Sequence, residues 1–296
     1  MRLVDPGTLV DSRPTVRIAL AVGAEALRHA GVGSAPVDAE WLLADVLSVS
    51  RSALHGETRR ALERPDAARY VRALRRRMAR EPLQHIVGTQ AFRHITVRVS
   101  GDAMVPRPET ELLAGWALEW LPRGPRIPRA IDLGTGSGCV ACAIASERAD
   151  VEVLAVDVSP PAAALARANV AALGLSARVT VEVSDLFEKL GRMPADVIVS
   201  NPPYLPTGLI PTLAPEVSRY DPCLALDGGR DGLDVIRRIV AEAPEWLVPG
   251  GGLLLETAGD EQARAVAALM RGRGLGGVET RADLAGVERF IGGRRP

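Results

Sequence analysis

From Arg129 onward, short apolar runs alternate with helical patterns, and this alternation constrains the fold more than any other feature. The runs are Ala130–Leu133, Val151–Val156, Val179–Val183, Val197–Ser200 and Gly252–Thr257. Strands that alternate with helices build βαβ units, which form parallel sheets with helices on their faces. We therefore predict an α/β fold with a mostly parallel sheet in this part of the chain.

The residues that precede this region have a different pattern. Apolar residues recur at helical spacing over Thr15–Ala30 and Val37–Leu47, and Asp66 is a candidate N-cap for a third helix. Alternation over Phe92–Val99 favours a β-hairpin, and Pro108 suits the first turn of another helix. We predict a helical domain over residues 1–85, a linking hairpin over 86–106 and a larger domain over 107–296.

The charge balance gives no reason to expect a strongly charged partner. The 36 Lys and Arg residues equal the 36 Asp and Glu residues in number, and the sequence pI is about 6.9. Three cysteines cannot form a fully paired disulfide framework, and no apolar run reaches the roughly 18 residues of a membrane helix. We expect a cytoplasmic monomer with no membrane association, no stable nucleic-acid binding and no metal.

A glycine-rich loop follows the first predicted strand and opens a predicted helix. Its candidate ligand-binding residues are Gly134, Thr135, Gly136, Ser137 and Gly138. Glycine lets the backbone turn sharply and approach a ligand at the helix N-terminus, which suits a nucleotide-like molecule. Dinucleotide-binding oxidoreductases use a closely related loop, and a plain tight turn is a further interpretation.

Acidic residues end the next two predicted strands. Asp157 follows the second strand, where such folds accept hydrogen bonds from ribose hydroxyls. A helix cap is the alternative role for Asp157, although Ser159 can cap that helix equally well. Asp185 and Leu186 follow the third strand, where they would suit an adenine amino group and ring face.

The tetrapeptide Asn201-Pro202-Pro203-Tyr204 follows the fourth predicted strand. Two prolines fix two φ angles and remove two donors, which leaves a rigid row of carbonyl groups. The Asn201 side-chain oxygen and the Pro202 carbonyl can accept both N–H groups of a planar amide or amine, while Tyr204 packs against it. Such a loop would aim a poorly nucleophilic nitrogen at an electrophilic methyl group by positioning alone. A proline-rich turn is the alternative.

Further motifs extend the pattern over most of the chain. They are Glu81–Gly88, Val105–Glu111, Val199–Tyr204, Asp221-Pro222, Gly228-Gly229, Asp231–Leu233 and Leu253–Glu256. Together with the glycine loop, they resemble the HemK-type protein glutamine N5-methyltransferases. The Pro-Arg-Pro-Glu-Thr-Glu stretch, residues 106–111, is the most specific of them.

The resemblance implies a Rossmann-like class I methyltransferase domain with a mostly parallel seven-stranded sheet and S-adenosylmethionine as cofactor. It implies that this family methylates the glutamine of the Gly-Gly-Gln motif in class I peptide-chain release factors. By resemblance, residues 134–138, Asp157, Asp185, Leu186 and Asn201 contact the cofactor, and residues 201–204 hold the glutamine. The resemblance also implies that the helical domain over residues 1–85 recognises the release factor. Two departures are Leu186, where an aromatic residue is frequent, and residues 256–259, which replace a tighter Glu-x-Gly pattern.

Other interpretations stay open at this point. A ribosomal-protein glutamine methyltransferase would share the catalytic loop, and so would an adenine-N6 nucleic-acid methyltransferase, although the latter should carry a basic cleft. A non-catalytic binding module would fail to bind cofactor.

Three further features receive no chemical role. Cys139 and Cys142 lie three residues apart in a predicted helix, where small buried residues are expected. The four histidines are well separated. Six arginines over residues 69–80 predict either a solvated helix face or a contact with an acidic protein face or RNA.

Overall fold

The computed structural model describes residues 5–296, and these fall into two compact units. The first unit contains residues 5–88 together with Ala214–Tyr220, and the second contains Thr89–Leu213 and Asp221–Pro296. This division differs from the predicted one in two respects. The hairpin is part of the second unit, and a segment from the middle of the larger predicted domain clusters with the helices.

The first unit is helical. Its helices are α1 (Leu9–Ser12), α2 (Val16–His29), α3 (Ala35–Leu47), α4 (Arg51–Gly56), α5 (Arg64–Met78) and α6 (Leu83–Val87). Thr15 caps α2 by accepting a hydrogen bond from the Ile18 amide, and Tyr70 of α5 donates to the Ala39 carbonyl of α3 inside the core. The two helices predicted over Thr15–Ala30 and Val37–Leu47 are confirmed.

The N-cap predicted for α5 is wrong. The helix begins at Arg64 with Pro65 in its first turn, and Glu63 is the N-cap residue. Proline fits the first turn because its fixed φ is already helical and its missing N–H is not needed there. Asp66 therefore lies inside the helix, where it pairs with Arg69.

Four of the six arginines near the end of α5 pair with carboxylates of the same unit. Arg69 bonds Asp66, Arg76 bonds Glu81, and Arg80 bonds Glu216. Arg77 is buried, with Nε 2.7 Å from Asp38 and Nη1 2.9 Å from Glu216. Arg69, Arg72, Arg75 and Arg76 are exposed and form the solvated helix face, whereas Arg77 and Arg80 form a less exposed ion-pair network with Asp38 and Glu216. This network ties residues 214–220 to α5.

Replacing Arg77 with Met should lower the free energy of unfolding of the first unit by about 3–5 kcal/mol, because Asp38 would keep a buried charge without a partner. Urea denaturation monitored by circular dichroism measures this change. Arg72→Met is the matched control, since Arg72 is exposed on the same helix, and a change within about 0.5 kcal/mol is expected. Equal effects of the two substitutions would contradict the assigned role of the network.

The second unit is an α/β domain. Its strands are β1 (Thr89–Phe92), β2 (Ile95–Arg98), β3 (Arg129–Leu133), β4 (Glu152–Asp157), β5 (Val179–Val183), β6 (Ala195–Ser200), β7 (Leu247–Glu256), β8 (Gly276–Arg281) and β9 (Phe290–Arg294). Its helices are α7 (Pro108–Trp120), α8 (Cys139–Glu147), α9 (Pro160–Ala172), α11 (Cys223–Leu226), α12 (Asp234–Trp246) and α13 (Asp260–Gly272), while α10 (Pro215–Ser218) clusters with the first unit.

Seven strands form one sheet in the order β5-β4-β3-β6-β7-β9-β8. The pairs from β5 to β7 are parallel, and β9 runs antiparallel to both β7 and β8. Two apolar clusters pack against this sheet, one around Trp116 and one around Ile236. The strand order reverses between β3 and β6, so the loops after these two strands lie side by side. Ligands of open α/β sheets bind at such a point.

The predicted β-hairpin is formed by β1 and β2, and it begins three residues before the alternating run, at Thr89. Phe92 pairs with Ile95, so Arg93 and His94 form the turn, and the run over Phe92–Val99 is not one continuous strand. Arg93 adopts a φ of 50°, and its guanidinium bonds Glu147 of α8, which holds it in this conformation. The side chain of Asn169 accepts from the Arg98 amide and so joins the hairpin to α9.

Among residues 5–296, no helix is long and apolar enough to cross a membrane.

Candidate active site

The glycine loop leaves β3 in a conformation that only glycine adopts freely. Gly134, Gly136 and Gly138 have φ values of 68°, 56° and 80°. Behind the loop, the buried Asp132 carboxylate accepts from the Thr135 hydroxyl at 2.6 Å and from the Ala141 amide at 3.1 Å. Burial raises the pKa of Asp132 to about 6. Through these two hydrogen bonds Asp132 stabilises the conformation of the glycine loop, a role that was not predicted from sequence.

Asp157 connects the end of β4 to the glycine loop. Its Oδ2 accepts from the Gly136 amide at 2.8 Å and its Oδ1 from the Ser159 amide at 2.9 Å. Burial raises the pKa of this carboxyl, and the backbone donors oppose that shift. Ser159 caps α9 through the Ala162 amide, so the cap is not the role of Asp157.

Asp185 and Leu186 lie at the end of β5. Leu186 is buried and has a φ of 49°, a left-handed conformation uncommon for a branched side chain. Asp185 is part-exposed, and Arg238 Nη1 lies 3.0 Å from its Oδ1. The second carboxylate oxygen can still accept a donor, because a carboxylate has about four acceptor positions.

One cavity of about 270 Å³ brings most of the predicted site residues together. Its lining includes Gly134, Thr135, Gly136, Ser137, Asp157, Asp185, Leu186, Asn201 and Pro203. Gly138, Pro202 and Tyr204 are not part of that lining. Gly138 instead lies against α9, where an added Cβ would come within 3.1 Å of the Ala166 Cβ. Arg107 and Thr110, at the start of α7, also line the cavity without having been assigned a role from sequence.

Asn201 presents an unpaired acceptor at this cavity. Its Nδ2 donates to Thr110 Oγ1 at 3.0 Å, whereas its Oδ1 is buried with no hydrogen-bond partner in residues 5–296. An unpaired buried acceptor costs about 1–3 kcal/mol, so it is expected to meet a donor on a ligand. This is the state expected of an oxygen that receives an N–H group from an acceptor substrate.

Tyr204 is held through its backbone and its hydroxyl. Gln262 Nε2 donates to the Tyr204 carbonyl at 3.0 Å, and the phenol lies 3.5 Å from Glu256 Oε1. Burial raises the pKa of Tyr204 above its ordinary value, so the phenol stays neutral at physiological pH. Tyr204 is therefore not a base in this site.

Thr110 and Glu256 form a second hydrogen bond behind Asn201. The Thr110 hydroxyl donates to Glu256 Oε2 at 2.8 Å. Glu256 ends β7 and is almost fully buried, and this burial raises its pKa to about 7. From sequence, Thr110 and Glu256 were noted only as members of the motifs Val105–Glu111 and Leu253–Glu256, and neither was assigned a role of its own. The sequence feature that could have identified Glu256 is its position as a carboxylate at the end of an apolar strand, beside the strand that leads into the reacting loop.

The two cysteines of α8 are buried, as predicted. Burial raises the pKa of Cys142 to about 12 and raises that of Cys139 as well, which keeps both as thiols. Within the described part of the chain, no group of His, Cys, Asp and Glu side chains is arranged to hold a metal ion.

The chain is similar to known proteins over most of its length. Residues 19–88 match the PrmC N-terminal domain, and residues 117–209 match the methyltransferase small domain. The release factor glutamine methyltransferase of Deinococcus radiodurans is 47% identical over 91% of this chain and 94% of its own length. That of Geobacter sulfurreducens is 41% identical over 90% of this chain and 92% of its own length. The chain belongs to the release factor glutamine methyltransferase family.

The fold is the Rossmann-like fold of class I methyltransferases. The hMettl16 catalytic domain, solved in complex with MAT2A 3'UTR hairpin 1, superposes with a TM-score of 0.56 at 16% identity. The match covers 80% of this chain and 83% of that one. At this identity the likeness extends to the fold alone.

Family membership implies S-adenosylmethionine as the methyl donor, and the site fits such a molecule. Gly134 and Gly136 line the cavity with positive φ, and a Cβ added at Gly134 would meet nothing within 4 Å. Asp157, the last residue of β4, and Asp185, in the loop after β5, also line the cavity. The unpaired oxygen of Asn201 lies at the adjoining strand end, where the acceptor is expected.

Proposed function

We propose that this protein methylates the side-chain amide nitrogen of the glutamine in the Gly-Gly-Gln motif of class I peptide-chain release factors. The unpaired Oδ1 of Asn201 carries the proposal, because it offers a buried acceptor to an N–H group beside the cavity. The full-length similarity to relatives named release factor glutamine methyltransferases supports the choice of substrate.

The cofactor is held, in this proposal, by residues at the ends of three neighbouring strands. Residues 134–138 take the part of the molecule nearest the start of α8, and Asp157 accepts from the ribose hydroxyls. Asp185 and Leu186 meet the adenine amino group and ring face. When bound, S-adenosylmethionine supplies a methyl group on a positively charged sulfur.

The reaction depends on how the loop 201–204 holds the glutamine amide. Asn201 Oδ1 and the Pro202 carbonyl accept its two N–H groups, and Tyr204 packs against its plane. Bound S-adenosylmethionine would supply the methyl group and would retain the electron pair of its broken S–C bond, and the amide held by Asn201 and Pro202 would give up one N–H proton to water. The rate acceleration comes from positioning, because an amide nitrogen that is already aimed at the methyl group does not have to lose translational and rotational freedom to react.

The proposal extends to the setting of the protein. A release-factor substrate places the enzyme with the translation apparatus in the cytoplasm, and the equal numbers of acidic and basic residues give no overall field that would favour stable nucleic-acid binding. We propose that the protein acts as a monomer.

Methyl transfer from tritium-labelled S-adenosylmethionine to three acceptors tests the substrate class. The acceptors are a class I release factor, ribosomal proteins and adenine-containing nucleic acid. Label on the release factor, absent when the Gly-Gly-Gln glutamine is replaced with Ala, is the expected result. Label on either of the other acceptors with none on the release factor would overturn the proposal. No label anywhere, with no cofactor binding, would indicate a non-catalytic module.

A further inference from the structure

Three side chains from different elements form a row that ends at the reacting loop. Glu256 comes from the end of β7, Thr110 from the first turns of α7 and Asn201 from the end of β6. Glu256 Oε2 lies 2.8 Å from Thr110 Oγ1, which lies 3.0 Å from Asn201 Nδ2. The only member of the row with an unsatisfied atom is Asn201, at the oxygen that faces away from Thr110.

The chemistry of the three groups fixes the direction of both hydrogen bonds. An ionised carboxylate has no proton and only accepts, whereas a hydroxyl has one donor and two acceptor positions. When Glu256 is ionised, the single Thr110 proton is committed to it, and Thr110 can only accept from Asn201. The nitrogen of the Asn201 amide must face Thr110, which directs the oxygen to the opposite side.

We propose that Thr110 and Glu256 are positioning residues that set the orientation of the Asn201 amide, so that its oxygen is offered to the N–H group of the acceptor. The inference rests on the proposed function and deepens it. A flipped Asn201 would turn an –NH₂ group toward the substrate amide, and two donors would then oppose each other. The loop would keep its shape and lose its ability to hold the glutamine.

The surroundings of Glu256 agree with this role. The residue is 1% exposed, and its hydrogen-bond donors are the hydroxyls of Thr110 and Tyr204 rather than a cation. Burying a carboxylate is costly unless it is hydrogen-bonded, so a purely structural position would favour an apolar residue. The charged and titratable groups near it are Glu109 of α7, Arg289 before β9 and the Tyr204 phenol of the reacting loop.

Two substitutions of Thr110 test the row. Thr110→Val keeps the shape of the side chain and removes its hydroxyl, so both orientations of Asn201 become available. We expect kcat for release-factor methylation to fall by about tenfold to a hundredfold. Thr110→Ser keeps a hydroxyl at the same atom and should retain most of the wild-type rate. Cofactor affinity, measured by calorimetry, should stay close to wild type in both variants. The melting temperature of Thr110→Val should fall, because the buried Glu256 loses its hydroxyl donor, so the rates are compared well below that temperature.

The pH profile separates positioning from packing. Burial, reinforced by Glu109, raises the pKa of Glu256 to about 7, against the opposing effects of Thr110, Arg289 and Tyr204. Below this pH, a protonated Glu256 can donate to Thr110 and release the Thr110 proton toward Asn201. The rate should therefore rise as pH increases through about 7. The Glu256→Gln side chain can donate to or accept from Thr110 at every pH. This variant should therefore methylate more slowly than wild type, and its rate should not rise as pH increases through about 7.

The outcomes distinguish the inference from the proposed function. If wild type and Thr110→Val methylate the release factor at equal rates, or if Thr110→Ser is as slow as Thr110→Val, the positioning role is wrong while the proposed function stands. If Glu256→Gln keeps the wild-type pH profile, Glu256 does not set the direction of the row. If wild type itself transfers no methyl group to the release factor, the proposed function fails first.

Discussion

Replacing Asn201 with Ala is expected to reduce methyl transfer by about a thousandfold, as is typical when a preorganised hydrogen-bonding group is removed at the reacting atoms. The substitution removes the unpaired Oδ1 and leaves only a backbone carbonyl to hold the substrate amide. Single-turnover kinetics with excess enzyme measures the loss at the chemical step. Cofactor affinity should fall much less, because the glycine loop and the carboxylates after β4 and β5 are unchanged.

Tyr204→Phe is the contrast within the same loop. The phenol lies 3.5 Å from Glu256, at the limit of a hydrogen bond, and it is not a base. The aromatic ring that packs against the glutamine is retained, so the rate should change by only a few fold. If Tyr204→Phe lowered the methyl-transfer rate as much as Asn201→Ala, the phenol rather than the Asn201 amide oxygen would be the group on which the reaction depends.

Replacing Asp157 with Asn is expected to weaken cofactor binding by about tenfold to a hundredfold. Both carboxylate oxygens accept from backbone amides, of Gly136 at 2.8 Å and of Ser159 at 2.9 Å. Asn has one oxygen, so one of these amides would face an –NH₂ group. A lost hydrogen bond to a charged group is worth about 1.5–3 kcal/mol, and each 1.4 kcal/mol is tenfold in affinity.

Isothermal titration with S-adenosylmethionine measures this change, and Asp150→Asn is the matched control. Asp150 precedes the opposite end of the same strand, is exposed and pairs with Arg148, so its substitution should leave affinity unchanged. Unaltered binding by Asp157→Asn would show that the conformation of the glycine loop does not depend on this carboxylate.

Much of the fold follows from the sequence because the relevant signals are local. The five strands from β3 to β7 were predicted from their apolar runs, and helices α2, α3 and α7 from their spacing and caps. The two C-terminal strands were not found from the pattern. β9 contains Gly292 and Gly293, which suggest a turn, but Gly292 is required because Trp116 and Leu254 lie where a Cβ would be. That contact is tertiary and leaves no local signal.

In the candidate site, too, contacts between residues distant in sequence could not be predicted. The residues proposed to contact a ligand were predicted from their place after each strand, since the carboxyl ends of parallel strands share one edge of the sheet, and most of them line one cavity. Thr110 and Glu256 are separated by 146 positions and become neighbours only through packing. Likewise, the partner of Arg77 in residues 214–220 comes from a segment that the sequence pattern places in the other domain.

The most direct test of the central claim is fragment-ion mass spectrometry of the Gly-Gly-Gln peptide, taken from an unmethylated class I release factor after incubation with this protein and S-adenosylmethionine. The account predicts one added methyl group on the glutamine side chain, which Asn201→Ala does not produce in the same time. A methyl group on any other residue of the release factor, or equal modification by Asn201→Ala, would contradict it.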